Sequence, residues 1–541
     1  MSEWTISPPW LEAAQLGVAA LLLVAVFVCL PVALAGAWAE FRDDRPAARG
    51  LLGALVLGGL IRFVLAPHRL AMVFIGYRVT RDALELLPIA QYGAGAGALY
   101  HAWFAVLPHD HASIMWVNAV CGWLALPLVA TFAARVAGDR RVGAVAAVLA
   151  AATPMFVRND TSEANLVPCL LWLFGGLTLF QSTLATGRRT PLLAAVPLLA
   201  LAIVSRPELL VIAPALVVCV ALVRPAVRPP WRDGACWAAA AVTALLVLPH
   251  ALHVVRAFQS MRGLGNLPGV ATSPVVQLVL SVVDRNALLS PTLFPVAFLG
   301  LALCALVLGA RGGARRPALV LLAMALAAFL PYFLDADEGN IARVHAPAGL
   351  FVALLASVGL VALWDRVTNR IVRGALVVVV VSSLLPSAVR LWAPTNEQAE
   401  EELIRAAHAA LPQRFVLVRM QWPDKDRGRG GHTQVHFPDY LFRSGGKHGQ
   451  LLAVSEWLEQ PETSEAAYFF FGFRCYAAFR AESIPAPSGE DLHPLCARMR
   501  DEFTLTPVIE HTAQNHGDVW LRYYGDAPTL KVGLYKIGPR R

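Results

Sequence analysis

Repeated apolar runs constrain the fold of this chain more than any other feature of its sequence. About twelve of them, each suited to crossing a hydrocarbon core of roughly 30 Å, follow one another up to residue 389. Hydrophobic residues make up 57% of the 541 residues and charged residues only 15%, whereas soluble proteins carry about 25% charged residues. The sequence therefore predicts a polytopic α-helical membrane protein. The runs lie near Ala13–Gly36, Leu51–Ala66, Ile114–Ala134, Val142–Phe156, Leu166–Leu184, Pro191–Val204, Leu209–Val223, Ala235–Leu252, Thr292–Ala310, Pro317–Leu334, Pro347–Leu363 and Ala375–Val389.

Arginine clusters follow every odd-numbered run in this series. Because Lys and Arg collect in cytoplasmic loops, this alternation predicts that both termini lie outside the cytoplasm. The same bias accounts for the net charge of +8, so the lipid bilayer is an expected partner and nucleic acid is not. The clusters are Arg42, Arg45 and Arg49; Arg135, Arg140 and Arg141; Arg188 and Arg189; Arg224, Arg228 and Arg232; Arg311, Arg315 and Arg316; and Arg366, Arg370 and Arg373.

Hydropathy falls after Arg390, and the remaining residues have the composition of a soluble unit. We divide the chain into a transmembrane domain over residues 1–391 and an extracytoplasmic α/β domain over residues 392–541. Cys475 and Cys496 are the two cysteines of the second domain, and an oxidising compartment would favour a disulfide between them over two separate thiols. Periodicity predicts helices at Glu397–Leu411, Leu451–Leu458 and Leu492–Phe503, and strands at Arg414–Val418, Ala467–Tyr476, Thr506–His511 and Leu530–Ile537.

The first large outer loop, Gly76–Pro108, carries carboxylates at the predicted membrane face. Asp82 and Glu85 lie one helical turn apart, with Arg78 and Arg81 close by in sequence. Carboxylates are costly to keep at a membrane face, which makes this loop a candidate for chemistry. The alternative is a solvated helix on which Asp82 pairs with Arg78 or Arg81. On a helix, Arg78, Asp82 and Glu85 would share one face.

Three stretches of the chain are similar to the GT-C type glycosyltransferases, integral membrane enzymes that use polyprenyl-phosphate sugars. The first runs from YGAGAGALYHAWFAVLP through the turn RVAGDRRVG to RNDTSEANLVP, and the others are LAIVSRPELLVIAPALV and IARVHAPAGLFVALLASVGL. The closest likeness is to the branch that contains protein O-mannosyltransferases and lipid A aminoarabinose transferases. It covers roughly residues 62–363. One departure is clear, because the family's adjacent acidic pair is replaced here by a lone Asp82 followed by Glu85.

The resemblance implies a plasma-membrane (inner-membrane) enzyme that transfers a sugar from a polyprenyl phosphate to a glycan, lipid or protein acceptor outside the cytoplasm. Such a reaction needs a base for the acceptor hydroxyl and cations for the leaving phosphate. Asp82 is the favoured base, Glu85 the second, and Asp160 and Glu163 of the RNDTSEANL loop the third. Glu163 also precedes an apolar run, so it could serve as an N-terminal helix charge instead.

Guanidinium groups suit the donor phosphate because they bind it in a bidentate manner. The candidates are Arg343, Arg206, Arg256 and Arg158, and the alternative for each is an arginine that extends to the membrane interface from the end of a span. No resident cofactor or metal is predicted, the sugar-lipid being a co-substrate, although a divalent cation stays possible in principle. The GAGAG sequence at Gly93–Gly97 lacks the Lys-Ser/Thr of a phosphate loop, so it indicates close helix packing or a bend.

Two other functions compete with the enzyme. A transporter or lipid flippase would have no catalysis, but it should carry ionisable residues in mid-membrane and inverted repeats. The predicted charges lie mostly in outer loops, which favours an enzyme. The lone Asp82 also leaves open a family member that has lost catalysis.

Overall fold

The computed structural model describes residues 8–70, 73–86, 93–223, 229–264, 287–309, 315–329, 341–394, 396–420, 441–442, 447–461, 466–476, 492, 494–514 and 529–541. All statements below concern these residues. The first part is helical: α1 (Pro9–Phe41), α2 (Arg45–Leu60), a π-helix (Ile61–Leu65), α3 (Val73–Leu84), α4 (Gly95–Trp103), α5 (His111–Ala137), α6 (Arg140–Ala152), α7 (Pro154–Asp160), α8 (Leu166–Thr186), α9 (Arg189–Ile203), α10 (Leu209–Val223), α11 (Gly234–Leu264), α12 (Val296–Gly309), α13 (Arg315–Phe329), α14 (Ile341–Arg366) and α15 (Arg370–Trp392).

The apolar runs of the sequence coincide with helices, although the fourth run is divided between α6 and α7. The chain is a multi-pass membrane protein. Seven helices in the described part are long and apolar enough to cross a membrane, or eight if one bent pair counts as a single span. Three further apolar helices, α9, α10 and α12, are shorter. The number of about twelve spans stays a prediction.

The bundle has a helix-lined centre and a lipid-facing periphery. In its most apolar stretch, α8 is 89% buried, whereas α15 is only 11% buried. Aromatic rings fill the centre, where Phe351 lies 5.7 Å from Phe174 and 6.2 Å from Phe132 between ring centroids. The exposed leucines and valines of α1 and α15 therefore form the surface that a bilayer would cover.

Ion pairs join the ends of three apolar runs at one face of the bundle, which we call the arginine face. Arg141 of α6 pairs with Asp139, the N-terminal cap of the same helix, and with Asp365 at the end of α14. Its Nη1 lies 2.8 Å from Asp365 Oδ1. Arg135 likewise contacts Glu40 at the end of α1, at 2.8 Å. These pairs bring together the ends of the first, third and eleventh apolar runs, as their alternation requires.

The C-terminal domain packs at the opposite face, which we call the domain face. It contains α16 (Asn396–Ala410), β1 (Arg414–Arg419), β2 (His448–Ala453), α17 (Val454–Glu459), β3 (Ala467–Phe471), α18 (Pro494–Glu502), β4 (Phe503–Gln514) and β5 (Thr529–Arg540). The strand order is β2-β1-β3-β5-β4, in which β1 is parallel to β2 and β3, and β5 is antiparallel to β3 and β4.

Two predicted elements of this domain differ from the structure. The predicted helix Leu451–Leu458 begins as strand β2, because Leu451 to Ala453 pair with β1 in parallel register. The predicted strand Ala467–Tyr476 ends at Phe471, and a 3₁₀ turn follows over Phe473–Cys475. In both cases a tertiary contact decides the conformation of a short apolar segment.

Cys475 and Cys496 are joined by a disulfide between that 3₁₀ turn and α18, with Cα atoms 5.6 Å apart. We expect non-reducing mass spectrometry of protein from its native membrane to find the cross-linked peptide pair. Replacing both residues with Ser should lower the free energy of unfolding of the C-terminal domain by about 3 kcal/mol, from loop entropy. Two free thiols in that material would contradict both the bridge and an oxidising location.

The C-terminal domain is docked on the bundle by a polar contact and an apolar cluster. His111 Nε2, at the start of α5, lies 2.8 Å from Glu401 Oε1, and Arg405 Nε donates to the same oxygen at 3.0 Å. Tyr77 of α3 and Met115 of α5 join the apolar cluster built around α16 and the sheet. Burial alone raises the pKa of the Glu401 carboxyl, but the hydrogen bond and charge of His111 and the charge of Arg405 bring it below its ordinary value.

We therefore expect acid to loosen this contact. A carboxyl with a lowered pKa in the folded state stabilises that state fully above its ordinary pKa of about 4.3, and the contribution is lost as the pH falls through the folded value. Glu401→Gln should cost about 1–2 kcal/mol at pH 7 and flatten the fall of the unfolding midpoint below pH 5. Unfolding scans between pH 7 and pH 3 would check this, and parallel curves for the two proteins would contradict it.

Candidate functional site

Helix α3 carries Asp82, the favoured base from the sequence. Asp82 is only 2% exposed, and its Oδ1 accepts from Nη2 of Arg81 at 2.7 Å. The Arg81 side chain is 41% exposed, so this pair lies where the buried face of α3 meets the open surface.

Glu85 lies in a different environment from Asp82. Helix α3 ends at Leu84, so Glu85 falls in the following turn and is exposed. Its N–H still donates to the Arg81 oxygen at 2.9 Å. The two carboxylates therefore differ in burial, and their shared helical face stays a prediction. The side chain of Arg78 lies outside the described residues.

Glycines let helix α4 approach the turn between α9 and α10. A Cβ on Gly95 would lie 2.1 Å from Ser205 Oγ, and a Cβ on Gly93 would lie 2.6 Å from His250 Nδ1. Gly93 also has a φ of +83°, a conformation that side chains other than glycine rarely adopt. The GAGAG sequence thus serves close packing, as expected. It brings the start of α4 against Ser205, in the turn after α9, and Gly93 against His250 of α11.

The most densely polar part of the buried structure is residues 157–165, which comprise the last residues of α7 and the turn after it. We call this segment the 157–165 loop. Its buried polar members are Asn159, Asp160, Thr161, Ser162, Glu163 and Asn165. Glu163, a candidate base, is 1% exposed. Burying six polar residues together between apolar helices is costly, and packing alone does not require it. The cluster is therefore a candidate functional site.

Asn118 of α5 holds this loop in place around Glu163. Its Nδ2 donates to the backbone oxygens of Ser162 and Ala164 at 2.8 and 3.1 Å, one on each side of Glu163. Tyr100 of α4 in turn donates its hydroxyl to Asn118 Oδ1 at 2.8 Å. Burial raises the pKa of Tyr100 well above its ordinary value, so the hydroxyl remains a donor throughout the physiological range.

Arg206, a candidate phosphate ligand, borders the loop from the turn between α9 and α10. Its Nη1 donates to Asn165 Oδ1 at 2.7 Å, and its Nε and Nη2 pair with Glu208. The side chains of Arg206 and Glu208 are 2% and 7% exposed. The structure thus places Arg206 against Asn165 at the end of the loop, in a buried ion pair with Glu208.

Asp160, the remaining candidate base, is paired with Arg62. Arg62 Nε donates to Asp160 Oδ2 at 2.7 Å, and Nη2 lies 2.6 Å from the same oxygen. Arg62 is 1% exposed and lies in the π-helix at the end of α2. The expectation that ionisable groups lie almost wholly in outer loops is wrong for this arginine, which sits inside the second apolar run.

The other predicted arginines differ in what the structure places around them. Arg256 of α11 is exposed, and Arg158 of α7 is half-buried in the 157–165 loop. Arg343 falls in the first turn of α14, but its side chain lies outside the described residues. Asp160, Glu163, Arg206 and Arg158 are therefore brought together around one loop, whereas Asp82 and Arg256 lie on other elements.

Sequence reasoning missed four residues that build this site: Arg62, Tyr100, Asn118 and His250. Arg62 and His250 each interrupt an apolar run, and an ionisable residue within a span is a signal of function. His250 is 1% exposed and lies beside Gly93. Asn118 and Tyr100 gave no comparable signal. Asn118 binds carbonyls of a loop that is distant in sequence, and Tyr100 binds the Asn118 side chain.

The helical bundle, with its polar loop and C-terminal α/β domain, has the architecture that the sequence resemblance implies. Residues 95–253 match the family described as dolichyl-phosphate-mannose-protein mannosyltransferase. This region contains α4, the 157–165 loop and the Ser205–Glu208 turn. The resemblance to GT-C enzymes inferred from the sequence is thereby confirmed.

Solved structures of two proteins share the fold. ArnT from Cupriavidus metallidurans in the apo state is 14% identical with a TM-score of 0.51, covering 91% of this chain and 98% of that protein. ArnT bound to undecaprenyl phosphate is 14% identical with a TM-score of 0.50, covering 90% of this chain and 97% of that protein. The Archaeoglobus fulgidus oligosaccharyltransferase tethered to an acceptor peptide with the NVT sequon is 12% identical with a TM-score of 0.51, covering 86% of this chain and 73% of that one.

Across structures of the archaeal enzyme, the chain spans from 55% to 73% of that protein's length. Comparison with curated protein sequences gives no match. At 12–14% identity these likenesses establish a shared fold.

Proposed function

We propose that this chain is a glycosyltransferase that moves a sugar from a polyprenyl-phosphate donor to a glycan, lipid or protein acceptor. The observation that carries the proposal is the buried polar cluster around Glu163 and Arg206, set in a GT-C fold at the domain face. A hydroxyl nucleophile and a lipid phosphate both need polar groups at a membrane boundary. The solved relatives include one bound to undecaprenyl phosphate, which supports a lipid-linked donor.

The proposed location is the inner membrane, with the domain face outside the cytoplasm. The contacts of Arg135 and Arg141 support this orientation, since they gather the arginine clusters at one face, and such clusters lie on the cytoplasmic side. Reporter fusions after Arg141 and Arg316 should therefore give cytoplasmic signals, and a fusion after Arg390 an external one. An internal signal after Arg390 would place the polar loop in the cytoplasm, where it could not serve an external acceptor.

We further propose Asp82 as the base and Glu163 as the carboxylate that shapes the neighbouring site. Asp82 is buried, but its partner Arg81 is 41% exposed, which puts the pair at the edge of the open surface. Glu163 is held on both sides by Asn118 and is 1% exposed. Arg206 and Arg343 are proposed to stabilise the leaving phosphate, and no resident cofactor is proposed.

The direct test is a donor panel on the purified full-length protein in liposomes. Undecaprenyl phosphate carrying different hexoses and pentoses would be supplied with a membrane extract as the source of acceptor. We expect release of free undecaprenyl phosphate from one donor, and its absence with protein that carries Asp82→Asn. A transporter would instead move the intact sugar-lipid between leaflets without cleaving it, and that result would replace the proposal.

A further inference from the structure

We propose that Arg62 and Asp160 form a buried positioning pair, which fixes the 157–165 loop and through it the place of the Glu163 carboxylate. The inference rests on the proposed function for what the loop does, whereas the way in which the loop is held follows from its contacts. It gives Asp160, a candidate base from the sequence, a different role.

The first step concerns a helix end that lacks donors. The fourth apolar run is broken, since α6 and α7 meet at an angle of 65° next to Pro154. In a continuous helix the N–H of Pro154 would bond the Ala150 oxygen, but proline has no N–H to give. Backbone oxygens inside a membrane protein need other donors. Arg62 supplies them, with Nη1 3.1 Å from the Ala151 oxygen and Nη2 3.5 Å from the Ala150 oxygen.

The second step concerns the guanidinium. The same Arg62 group binds Asp160 through Nε and Nη2 and also lies 3.4 Å from the Gly58 oxygen. All three guanidinium nitrogens thus make contacts, and their acceptors lie on α2, at the end of α6 and at the end of α7. A lysine could keep the charge but has a single nitrogen, which cannot reach these acceptors together.

The third step concerns the opposite side of the carboxylate. A Cβ on Gly122 of α5 would lie 2.2 Å from Asp160 Cγ and 2.4–2.5 Å from its oxygens. The carboxylate is therefore seated between the backbone of α5 and Arg62. One helical turn earlier on α5, Asn118 holds Ser162 and Ala164, so a single helix face receives both anchors of the loop.

Glu163 lies between these anchors. Asp160 fixes the loop before it, and Asn118 binds the residues on either side of it. A shift of about 1 Å in a reacting or positioning group can lower a rate by about 10²-fold. Loosening the Asp160 anchor should therefore act on the reaction through Glu163, without Asp160 itself touching substrate.

Three variants test the pair from different sides. Arg62→Lys keeps the charge and removes the carbonyl contacts, and Asp160→Asn keeps the shape and removes the charge. Gly122→Ala keeps both Arg62 and Asp160, but its Cβ would clash with the Asp160 carboxylate. Alanine favours the helix more than glycine does, so this variant should not weaken α5 itself. The matched control is Arg135→Lys, because Arg135 also binds one carboxylate, Glu40, and one carbonyl, that of Thr178, but at the arginine face.

The first readout is amide hydrogen exchange over residues 157–165 in the full chain, in lipid nanodiscs. We expect exchange to become faster by about tenfold or more in all three variants, and to stay at the wild-type rate in Arg135→Lys. The second readout is turnover with the best donor of the panel. We expect kcat to fall by about 10²-fold while the KM for the donor stays close to the wild-type value, a split that general destabilisation would not produce.

Wild-type exchange in all three variants would overturn the inference, since the loop would then be held by other contacts. Loss of turnover in Asp160→Asn with unchanged exchange would also overturn it, by making Asp160 a group that meets the reacting atoms. If the wild-type protein cleaves no donor, the proposed function fails alone, and the exchange comparison still decides whether the pair holds the loop.

Discussion

Replacing Asp82 with Asn should lower sugar transfer by about 10²–10⁴-fold, the usual contribution of a general base. The substitution keeps the shape of a side chain that is 2% exposed and can retain a hydrogen bond to Arg81, so folding should be preserved. What it removes is the basicity needed to accept the proton of an attacking hydroxyl. The measurement is turnover with the best donor of the panel, together with binding of undecaprenyl phosphate, which should stay unchanged.

Glu85→Gln is the matched control for this prediction. Glu85 lies three residues further on, in the turn after α3, and is exposed, so its change should leave turnover close to wild type. Near-normal turnover in Asp82→Asn would exclude Asp82 as the base. The role would then pass to Glu163, and Glu163→Gln would be the next variant to measure.

Replacing Arg206 with Ala should destabilise the folded protein by about 3–5 kcal/mol, because the change leaves Glu208 as a buried carboxylate without its arginine. The two side chains are 2% and 7% exposed, so water cannot easily take the place of the guanidinium. Asn165 would also lose the donor to its Oδ1. The measurement is the unfolding midpoint in detergent, with the yield of monodisperse protein as a second readout.

The double variant Arg206→Ala with Glu208→Ala separates stability from function. Removing both charges together should recover most of the stability, since the cost comes from the unpaired partner. Transfer should remain impaired if Arg206 also stabilises the leaving phosphate. A single Arg206→Ala protein as stable as wild type would contradict the buried pair.

The sequence predicts the helices of this fold well because each apolar run is long and its signal is local. Helix α8 needs no partner to be recognised, since a run such as Leu166–Leu184 has few alternatives to a span. The secondary structure of the short segments in the C-terminal domain is harder to predict. Leu451 to Ala453 are apolar enough for a helix or a strand, and pairing with β1 makes them a strand.

The sequence predicted the residue types of the candidate site but not which residues contact each other. Asp160 and Glu163 were both recognised as carboxylates of one loop, yet nothing local shows that the first is bound by an arginine 98 residues earlier. Asp82 is buried and Glu85 is exposed, a difference that depends on how α3 packs on its neighbours, and helix boundaries are weakly encoded as well. Long-range pairing and element ends are thus what sequence patterns leave open.

The position of helix α14 bears on how this protein is made. Its Phe351 fills the space between Phe132 and Phe174 at the centre of the bundle, and its Asp365 binds Arg141. A ribosome reaches these residues only after most of the earlier helices have entered the bilayer. Association of inserted helices is a separate stage from insertion, so α5 and α8 must wait in the membrane with their shared face open. The helix that completes the interior is among the last of the bundle to be translated, so the interior of this protein can close only late in its synthesis.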